Sequence, residues 1–407
     1  MKRILAAMLA ALTVFSTAGC AKPDNSTEPA APDQQVEPAP TVPQEPVLTP
    51  EEQAEQERLA AEQAREKRLQ ALLDSMTLEE KVGQLFFVRC PETNAVEDIS
   101  TYHLGGYLLF GRDYKDGDVW LTRDQFTQKL QSYQDAASIP LFIGSDEEGG
   151  TVTRASRNPN LFSEPFKSPQ AIYSAGGMEA LAQDALDKSQ SLLDLGINVN
   201  FAPVCDVSTD PNDFIYDRTL GQDAETTADY ITRTVLTMGD AGEMAVLKHF
   251  PGYGNNADTH TGIAVDDRPM ETFENSDLLP FKAGIEADAL FVLVSHNIVS
   301  CMDPDLPASL SPAVHKVLRE TCGFDGIAIT DDLAMDAVKA YAKDGAVAVM
   351  ALQAGNDMVI TTDYRTQIPA VIEAVKNGTL EESVIDSACF RVLKCKDAHM
   401  YIPALDS

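Results

Sequence analysis

Residues 244–260 read MAVLKHFPGYGNNADTH, an apolar run that turns basic and then breaks into proline and glycine. The run from Met244 to Leu247 is continuously apolar, which is typical of a strand covered on both faces. After the Pro-Gly turn, Asp258 and His260 stand two residues apart on a segment that favours neither helix nor strand. Because reacting groups usually lie on loops held by a rigid scaffold, the stretch predicts a barrel strand followed by a catalytic loop. The ordinary alternative is a polar surface loop.

Apolar runs of this kind recur along the chain, with helix-like stretches between them such as Ser311–Glu320 and Asp344–Leu352. The eight runs are Leu85–Arg89, Gly106–Phe110, Pro140–Ser145, Ile197–Pro203, Ala245–His249, Leu290–Ser295, Gly326–Thr330 and Asp357–Thr361. Eight strand–helix units predict the α/β class and, within it, a TIM-like (β/α)8 barrel that forms a single catalytic domain. The second candidate is a doubly wound open sheet. No Gly-x-Gly-x-x-Gly follows the first run, so a dinucleotide site has no support.

The chain before the barrel divides into three segments. Residues 1–19 predict a signal peptide, with a basic start, an apolar run too short to anchor in a bilayer, and small residues before Cys20. This pattern resembles a bacterial lipoprotein signal, which implies acylation of Cys20 and a lipid anchor in the cell membrane, outside the cytoplasm. The alternative is a plain signal peptide near a cysteine.

The rest of the chain is expected to form three parts. Residues 20–50 predict a disordered Pro- and Glu-rich tether, residues 51–75 predict a solvated helix, and residues 76–407 predict the barrel domain.

Charge and cysteine spacing exclude two classes of function. The net charge of −32 argues against nucleic acid as a partner, because no basic patch is available to neutralise phosphates. The six cysteines after Cys20 show no Cys-x-x-Cys spacing, so a thiolate zinc site is not expected. The sequence leaves open whether these cysteines pair.

Polar residues stand where most of the predicted strands end. Asp146 follows the third run, Asp206 and Arg218 follow the fourth, His296 follows the sixth and Asp331 follows the seventh. In a barrel these points share the C-terminal face, where active sites lie. Each residue also has an ordinary explanation, such as a helix cap, a surface ion pair or a hydrogen-bonded core histidine. Their common placement favours a functional site.

Three motifs, in this order, resemble the family 3 glycoside hydrolases, in the β-N-acetylhexosaminidase branch. The motifs are Asp146-x-Glu148-Gly149-Gly150-x-Val152-x-Arg154, Lys248-His249-Phe250-Pro251-Gly252 with Asp258-Thr259-His260, and Thr330-Asp331-Asp332-Leu333-x-Met335. The resemblance runs from about Met76 to about Lys396. It implies a TIM-like barrel, a carbohydrate substrate, and retaining hydrolysis of terminal β-linked N-acetylglucosamine without a metal or another cofactor.

The resemblance implies a role for each matching residue. Asp331 would be the nucleophile that forms a glycosyl-enzyme, and His260 would be the acid/base, oriented by Asp258. Imidazole suits this role because it titrates near neutral pH. The predicted substrate-binding residues are Asp146, Arg154, Arg218, Lys248, His249 and His296.

The chain departs from the family pattern at two positions and in one length. Tyr253 stands where the family usually has histidine, and Thr259 where it usually has serine. The segment between Gly254 and Asp258 is one residue shorter than the commonest form. Because Asp258 and His260 keep their spacing, the pair is expected to keep its function.

The same residues are also compatible with other functions. A metal-dependent hydrolase would recruit His249, His260, His296 and Asp331, but no His-x-His follows the first strand, where such sites usually begin. A lipid-anchored, wall-binding barrel without catalysis would be expected to have lost the nucleophile or the Asp-His pair. Within the family, a β-glucosidase, or a phosphorylase that uses phosphate in place of water, stays open. A site outside the cell favours peptidoglycan fragments or related amino-sugar oligosaccharides as substrates.

Overall fold

The computed structural model describes residues 49–254, 264–339, 341, 347–400 and 402. The chain divides into two compact units, residues 1–56 and residues 57–407. The described residues of the first unit begin helix α1 (Pro50–Ser75). There the Thr49 hydroxyl accepts the Glu52 backbone N–H at 3.2 Å, and the Thr49 backbone N–H donates to the Glu52 carboxylate at 2.8 Å. This reciprocal bonding satisfies donors that the first helical turn leaves free.

Eight parallel strands close into a barrel in which each strand pairs with its neighbours in chain order and the last pairs with the first. They are β1 (Phe86–Arg89), β2 (Gly106–Leu109), β3 (Phe142–Ser145), β4 (Val199–Asn200), β5 (Met244–Phe250), β6 (Phe291–Val294), β7 (Ile327–Asp332) and β8 (Met358–Thr361). Each lies in or overlaps one of the eight apolar runs. The predicted TIM-like barrel is therefore confirmed, and the open-sheet alternative is wrong.

Helices connect the strands and cover the outside of the barrel. They are α2 (Leu78–Gln84), α3 (Glu97–Tyr102), α4 (Arg123–Asp135), α5 (Pro169–Leu193), α6 (Ala224–Ala241), α7 (Met270–Thr272), α8 (Leu278–Glu286), α9 (Pro312–Lys316), α10 (Asp336–Lys339), α11 (Val347–Ala354), α12 (Tyr364–Lys376) and α13 (Glu382–His399). The two crossover helices predicted from sequence correspond to α9 and α11, although residues 344–346 of the second lie outside the described residues. Among the helices described here, none is both long and apolar enough to cross a membrane.

Two short pairs of strands lie outside the barrel. Lys115–Asp116 pairs with Val119–Trp120 in the antiparallel sense. Val265–Asp266 pairs with Ile298–Val299 in the parallel sense and so joins the loops that follow β5 and β6.

Aromatic rings fill the inside of the barrel. The ring of Phe87 meets Phe201 edge to face at 5.3 Å, and Phe142 meets Phe291 in the same way at 5.2 Å. A Cβ atom at Gly144 would lie 2.6 Å from the Phe201 ring and 2.8 Å from the Phe87 ring. Glycine on β3 therefore makes room for these rings, and the barrel is a packed core rather than a pore.

The C-terminal helix α13 closes the N-terminal end of the barrel. Its Lys396 is fully buried and donates from Nζ to the Gln84 amide oxygen at 2.8 Å and to the Gly105 carbonyl at 2.9 Å. Burial lowers the pKa of Lys396 to about 7, because a buried ammonium lacks water. With this end closed by α13, the opposite end is left for a site.

The final turns of helix α1 differ from the predicted solvated segment. Leu69, Leu72 and Leu73 are buried, and Arg65 pairs with Asp397 of α13 at 2.6 Å. These leucines recur at helical spacing and form one apolar face, which the charged residues around them obscure in the sequence. Most of the earlier residues of α1 are exposed, as predicted.

The six cysteines that the structure describes are all free thiols. Five are buried, and only Cys301 is exposed. Burial raises the pKa of Cys90, Cys389 and Cys395 to about 12. These thiols therefore stay protonated and pack as small apolar side chains.

Candidate active site

A cavity of about 560 Å³ opens at the C-terminal end of the barrel. All eight strands, or the loops that follow them, contribute to its wall, which includes Arg89, Phe110, Asp146, Arg154, Phe201, Arg218, Lys248, His249, Leu293, Asp331, Asp332 and Thr362. Parallel strands in a closed barrel all present their carboxyl ends to the same opening. Six residues predicted from sequence, namely Asp146, Arg154, Arg218, Lys248, His249 and Asp331, therefore share one cavity.

The buried carboxylate of Glu148 organises one side of this cavity. It accepts two hydrogen bonds from Arg218, from Nε at 2.9 Å and from an Nη at 2.7 Å, and it contacts Lys248 Nζ at 2.6 Å. Burial alone would raise the pKa of Glu148, but the Lys248 and Arg218 cations outweigh it and hold this pKa well below its usual range. Glu148 is thus a permanent anion that orients two cationic side chains.

Asp146 extends this arrangement toward the cavity. We use the name Glu148 cluster for the four residues Asp146, Glu148, Arg218 and Lys248. Lys248 Nζ donates to Asp146 Oδ1 at 2.9 Å, and Arg154 approaches the other carboxylate oxygen at 3.4 Å. Asp146 keeps 15% of its side chain exposed, whereas Glu148 keeps 1%. Asp146 is therefore the carboxylate of the cluster that a ligand can reach.

His249 is held in one tautomer by its two neighbours. Its Nε2 lies 3.0 Å from an Nη of Arg218, and its Nδ1 lies 2.7 Å from Asp206 Oδ2. Because guanidinium can only donate, Nε2 accepts, and Nδ1 carries the hydrogen that goes to Asp206. The ring therefore has a fixed orientation.

Asp206 belongs to the site, but the sequence did not predict its role. It is fully buried and also accepts the backbone N–H groups of His249, at 3.1 Å, and Tyr253, at 2.7 Å. It therefore fixes both the imidazole and the turn after β5. Its position at the end of the fourth apolar run was the only available signal.

The two adjacent aspartates at the end of β7 have different surroundings. Asp331 lines the cavity and accepts the backbone N–H of Asp332 at 2.8 Å. Asp332 accepts the Ala334 N–H at 2.9 Å and the Thr362 hydroxyl at 3.1 Å. Burial, together with the neighbouring Asp331 charge, raises the pKa of Asp332. Asp332 is thus tied to the β7 turn and β8, and Asp331 is the better candidate for a nucleophile.

His296 lies behind the cavity rather than on its wall. Its side chain is fully buried, with Nδ1 2.7 Å from the Ser309 hydroxyl and Nε2 3.1 Å from the Asp332 carbonyl. This placement does not favour the direct sugar contact predicted from sequence. It instead supports the backbone beside Asp331. The imidazoles of His249 and His296 are both engaged at both nitrogens, so neither could bind a metal without losing a hydrogen bond.

Aromatic side chains form two parts of the cavity wall. The guanidinium of Arg89 lies 4.2 Å above the Phe110 ring, and that of Arg154 lies 5.6 Å from the same ring. On the other side, Tyr253 packs edge to face against Phe214 at 5.2 Å. Flat apolar surfaces beside charged donors suit a ligand with both hydroxyls and C–H faces.

The predicted Asp258–His260 pair and Thr259 fall within residues 255–263, which lie outside the described residues. The segment is referred to below as the dyad segment. Gly254 is the last described residue before it, and Ala264 is the first after it. The roles of Asp258 and His260 stay predictions.

The closed barrel and a cavity of paired carboxylates and cations are compatible with a glycoside hydrolase, and sequence comparison identifies that class. The family model "Glycosyl hydrolase family 3 N terminal domain" matches residues 77–395, and the chain belongs to this family. It is 30% identical over 330 residues to the Beta-hexosaminidase LpqI of Mycobacterium tuberculosis, an alignment that covers 78% of this chain and 82% of that protein.

Two solved structures are similar over most of the chain. The β-N-acetylhexosaminidase from Beutenbergia cavernae matches with a TM-score of 0.71 at 30% identity, covering 79% of this chain and 99% of that one. The family 3 β-N-acetylglucosaminidase from Paenibacillus matches with a TM-score of 0.73 at 29% identity. That alignment covers 82% of this chain but 64% of the Paenibacillus chain, so this chain spans less than two thirds of that protein.

Replacing Glu148 by glutamine should destabilise the protein by about 3 kcal/mol, because Arg218 and Lys248 would keep buried charges without their common anion. The free energy of unfolding is measured by denaturant titration. Glu179→Gln is the matched control, since Glu179 pairs with Arg233 at 3.1 Å but is 88% exposed. The control should change stability little. Equal effects of the two substitutions would contradict the role given to Glu148.

Proposed function

We propose that the protein is a retaining β-N-acetylhexosaminidase that hydrolyses terminal β-linked N-acetylglucosamine. The observation that carries this proposal is that Asp331, at the end of β7, lines the same cavity as the Glu148 cluster. A potential nucleophile and a group of sugar-binding side chains thus meet at one opening. The names of the M. tuberculosis, Beutenbergia and Paenibacillus relatives support the same substrate class.

The Glu148 cluster supplies the proposed contacts with the sugar. Asp146 would accept hydrogen bonds from ring hydroxyls, and Lys248, Arg218 and Arg154 would donate to hydroxyl oxygens and to the acetamido carbonyl. These donors are already fixed by carboxylates of the cluster itself. Binding therefore needs little rearrangement of charged side chains, which is the advantage of a preorganised site.

The reaction would follow two displacements at the anomeric carbon. Asp331 attacks this carbon while the bond to the leaving oxygen breaks and His260 gives that oxygen a proton. Water then attacks the glycosyl-enzyme, His260 takes a proton from the water, and the bond to Asp331 breaks. Asp258 would stabilise the imidazolium form of His260, which is present before the first step and again after the second, much as aspartate does in a serine protease triad.

Asp331→Asn should keep the fold and abolish turnover, because an amide cannot act as the nucleophile. In the unmodified protein, a fluorinated N-acetylglucosaminyl inactivator should add covalently, and peptide mass spectrometry should find the label on Asp331. Asp332→Asn is the matched control and should still become labelled at Asp331. A label on Asp332, or normal turnover by Asp331→Asn, would show that the other aspartate is the nucleophile.

Aryl β-N-acetylglucosaminides should be cleaved at least about 100-fold more efficiently than aryl β-glucosides, measured as kcat/KM. Donors arranged for an acetamido carbonyl are left unpaired by a plain hydroxyl, and such unpaired buried groups give strong discrimination. Comparable kcat/KM values would place the protein on the glucosidase side of the family. Release of free N-acetylglucosamine in phosphate buffer, rather than a sugar phosphate, would identify water as the acceptor.

The proposal includes a location and a natural substrate. The small residues before Cys20 support acylation of its thiol, and the acidic, Pro-rich residues 21–50 suit a tether between a membrane and the barrel. An enzyme held at the outer face of the cell membrane would meet peptidoglycan fragments, which contain N-acetylglucosamine.

Cys20→Ser in the full precursor should move the protein from the membrane fraction to the soluble fraction, because the acyl chains would be lost. Immunoblotting of fractionated cells measures the distribution. Cys301→Ser is the control, since it removes an exposed thiol without affecting the signal. Retention of the Cys20→Ser protein in the membrane fraction would contradict the lipid anchor.

A further inference from the structure

A buried ion network contacts the chain before and after residues 255–263 and takes no part in the site described above. Arg268 donates from Nε and from an Nη to Asp266, at 3.0 and 2.8 Å, and from both Nη atoms to Asp277, at 3.0 and 2.9 Å. The carboxylates of Asp266 and Asp277 are 3% and 1% exposed. The guanidinium also lies 4.5 Å from the buried Phe273 ring. We call these three charged residues the Arg268 network.

The network contacts the chain just before the dyad segment. A Cβ atom on Gly254 would lie 2.5 Å from the guanidinium carbon of Arg268, and one on Gly252 would lie 2.7 Å from Asp277 Oδ1. The backbone of this turn therefore rests directly on the two charged groups. Gly252 and Gly254 also have positive φ angles, 120° and 54° respectively, which other residues adopt only with strain. The turn that leads into the dyad segment is shaped to fit the Arg268 network.

The chain just after the dyad segment is fixed by the same network. The Ala264 carbonyl accepts the Ile298 N–H at 2.8 Å, and the Asp266 carbonyl accepts the Ser300 N–H at 2.8 Å. The Asp266 carboxylate then binds both the backbone N–H and the side chain of Arg268. The Arg268 guanidinium thus connects the turn at Gly254 with Asp266, on the other side of residues 255–263, and, through Asp277, with the N-terminus of helix α8.

Arginine is needed for this arrangement because its planar fork bonds two carboxylates at fixed angles. Lysine would keep the charge but lose that geometry. Asp206 adds an independent constraint through its bond to the Tyr253 N–H at 2.7 Å. Tyr253 and Gly254 before the dyad segment, and Ala264 and Asp266 after it, are therefore each held by a specific contact.

We propose that Arg268, held by Asp266 and Asp277, is a positioning residue for proton transfer, because it contacts the chain both before and after the segment that carries Asp258 and His260. This inference rests on the proposed function, in which His260 is the acid/base. Arg268 acts through that segment and does not touch the substrate. A small displacement of an acid/base group can reduce a rate by about 100-fold.

The test compares Arg268→Lys with a control at the other end of the barrel. Arg319 is equally buried and donates to Asp357 at 2.5 Å and to the Gly326 carbonyl at 2.7 Å, far from the cavity. The kcat/KM values are measured for dinitrophenyl and phenyl β-N-acetylglucosaminides. The first leaving group needs no proton, and the second does. Thermal unfolding reports the stability of each variant.

Arg268→Lys should lower kcat/KM by about 10- to 100-fold for the phenyl glycoside and by less than about threefold for the dinitrophenyl glycoside. Arg319→Lys should lower the unfolding temperature to a similar extent and show no dependence on the leaving group. Asp277→Asn keeps the size of the side chain and should show the same dependence on the leaving group as Arg268→Lys. If Arg268→Lys does not fold, Asp277→Asn takes its place in the test. Equal losses on both glycosides, or no loss, would overturn the inference.

A double-mutant cycle with His260→Ala identifies the group through which Arg268 acts. If Arg268 acts only by positioning His260, adding Arg268→Lys to His260→Ala should reduce kcat/KM for the phenyl glycoside by less than about threefold further. If the kcat/KM losses of the two single variants multiply in full in the double variant, the inference is overturned and the proposed function stays intact. A His260→Ala variant whose loss is the same on both glycosides would instead overturn the role of His260, and the inference with it.

Discussion

The buried carboxylate of Glu148, shared between Arg218 and Lys248, is the interaction on which the geometry of the site depends. Arg218 in turn fixes the tautomer of His249, and Lys248 in turn fixes Asp146. Without this anion, two buried cations would repel each other at the floor of the cavity. One carboxylate that faces no solvent therefore sets the orientation of the side chains that would bind a sugar.

The barrel makes such a cluster possible because it places residues distant in sequence at the same opening. Glu148 follows β3, Arg218 follows β4 and Lys248 lies on β5, and these strands are neighbours in the sheet. Asp331 reaches the cavity from β7. The opposite end is closed by the C-terminal helix through Lys396, so binding and packing are separated along the barrel axis.

Much of this could be predicted from the sequence, because strands covered on both faces leave continuous apolar runs, and polar residues at their ends must meet in a barrel. The roles of Glu148 and Asp206 could not be predicted. A buried acceptor of several hydrogen bonds looks, in a sequence, like a helix cap or a surface carboxylate. His296 shows the reverse: its position predicted a ligand contact, but its ring bonds to Ser309 and to a backbone carbonyl. The hydrogen-bond partners of such buried side chains depend on tertiary packing, and the hydrophobic pattern of a sequence does not reveal them.

The covalent role of Asp331 is tested most directly by the stereochemistry of the first product. Proton NMR spectra recorded within the first minutes of hydrolysis of an aryl β-N-acetylglucosaminide distinguish the two anomers before mutarotation mixes them. Two displacements through Asp331 predict that the β anomer of N-acetylglucosamine forms first and the α anomer appears later. An α anomer as the first product would mean a single displacement by water and would contradict a glycosyl-enzyme on Asp331.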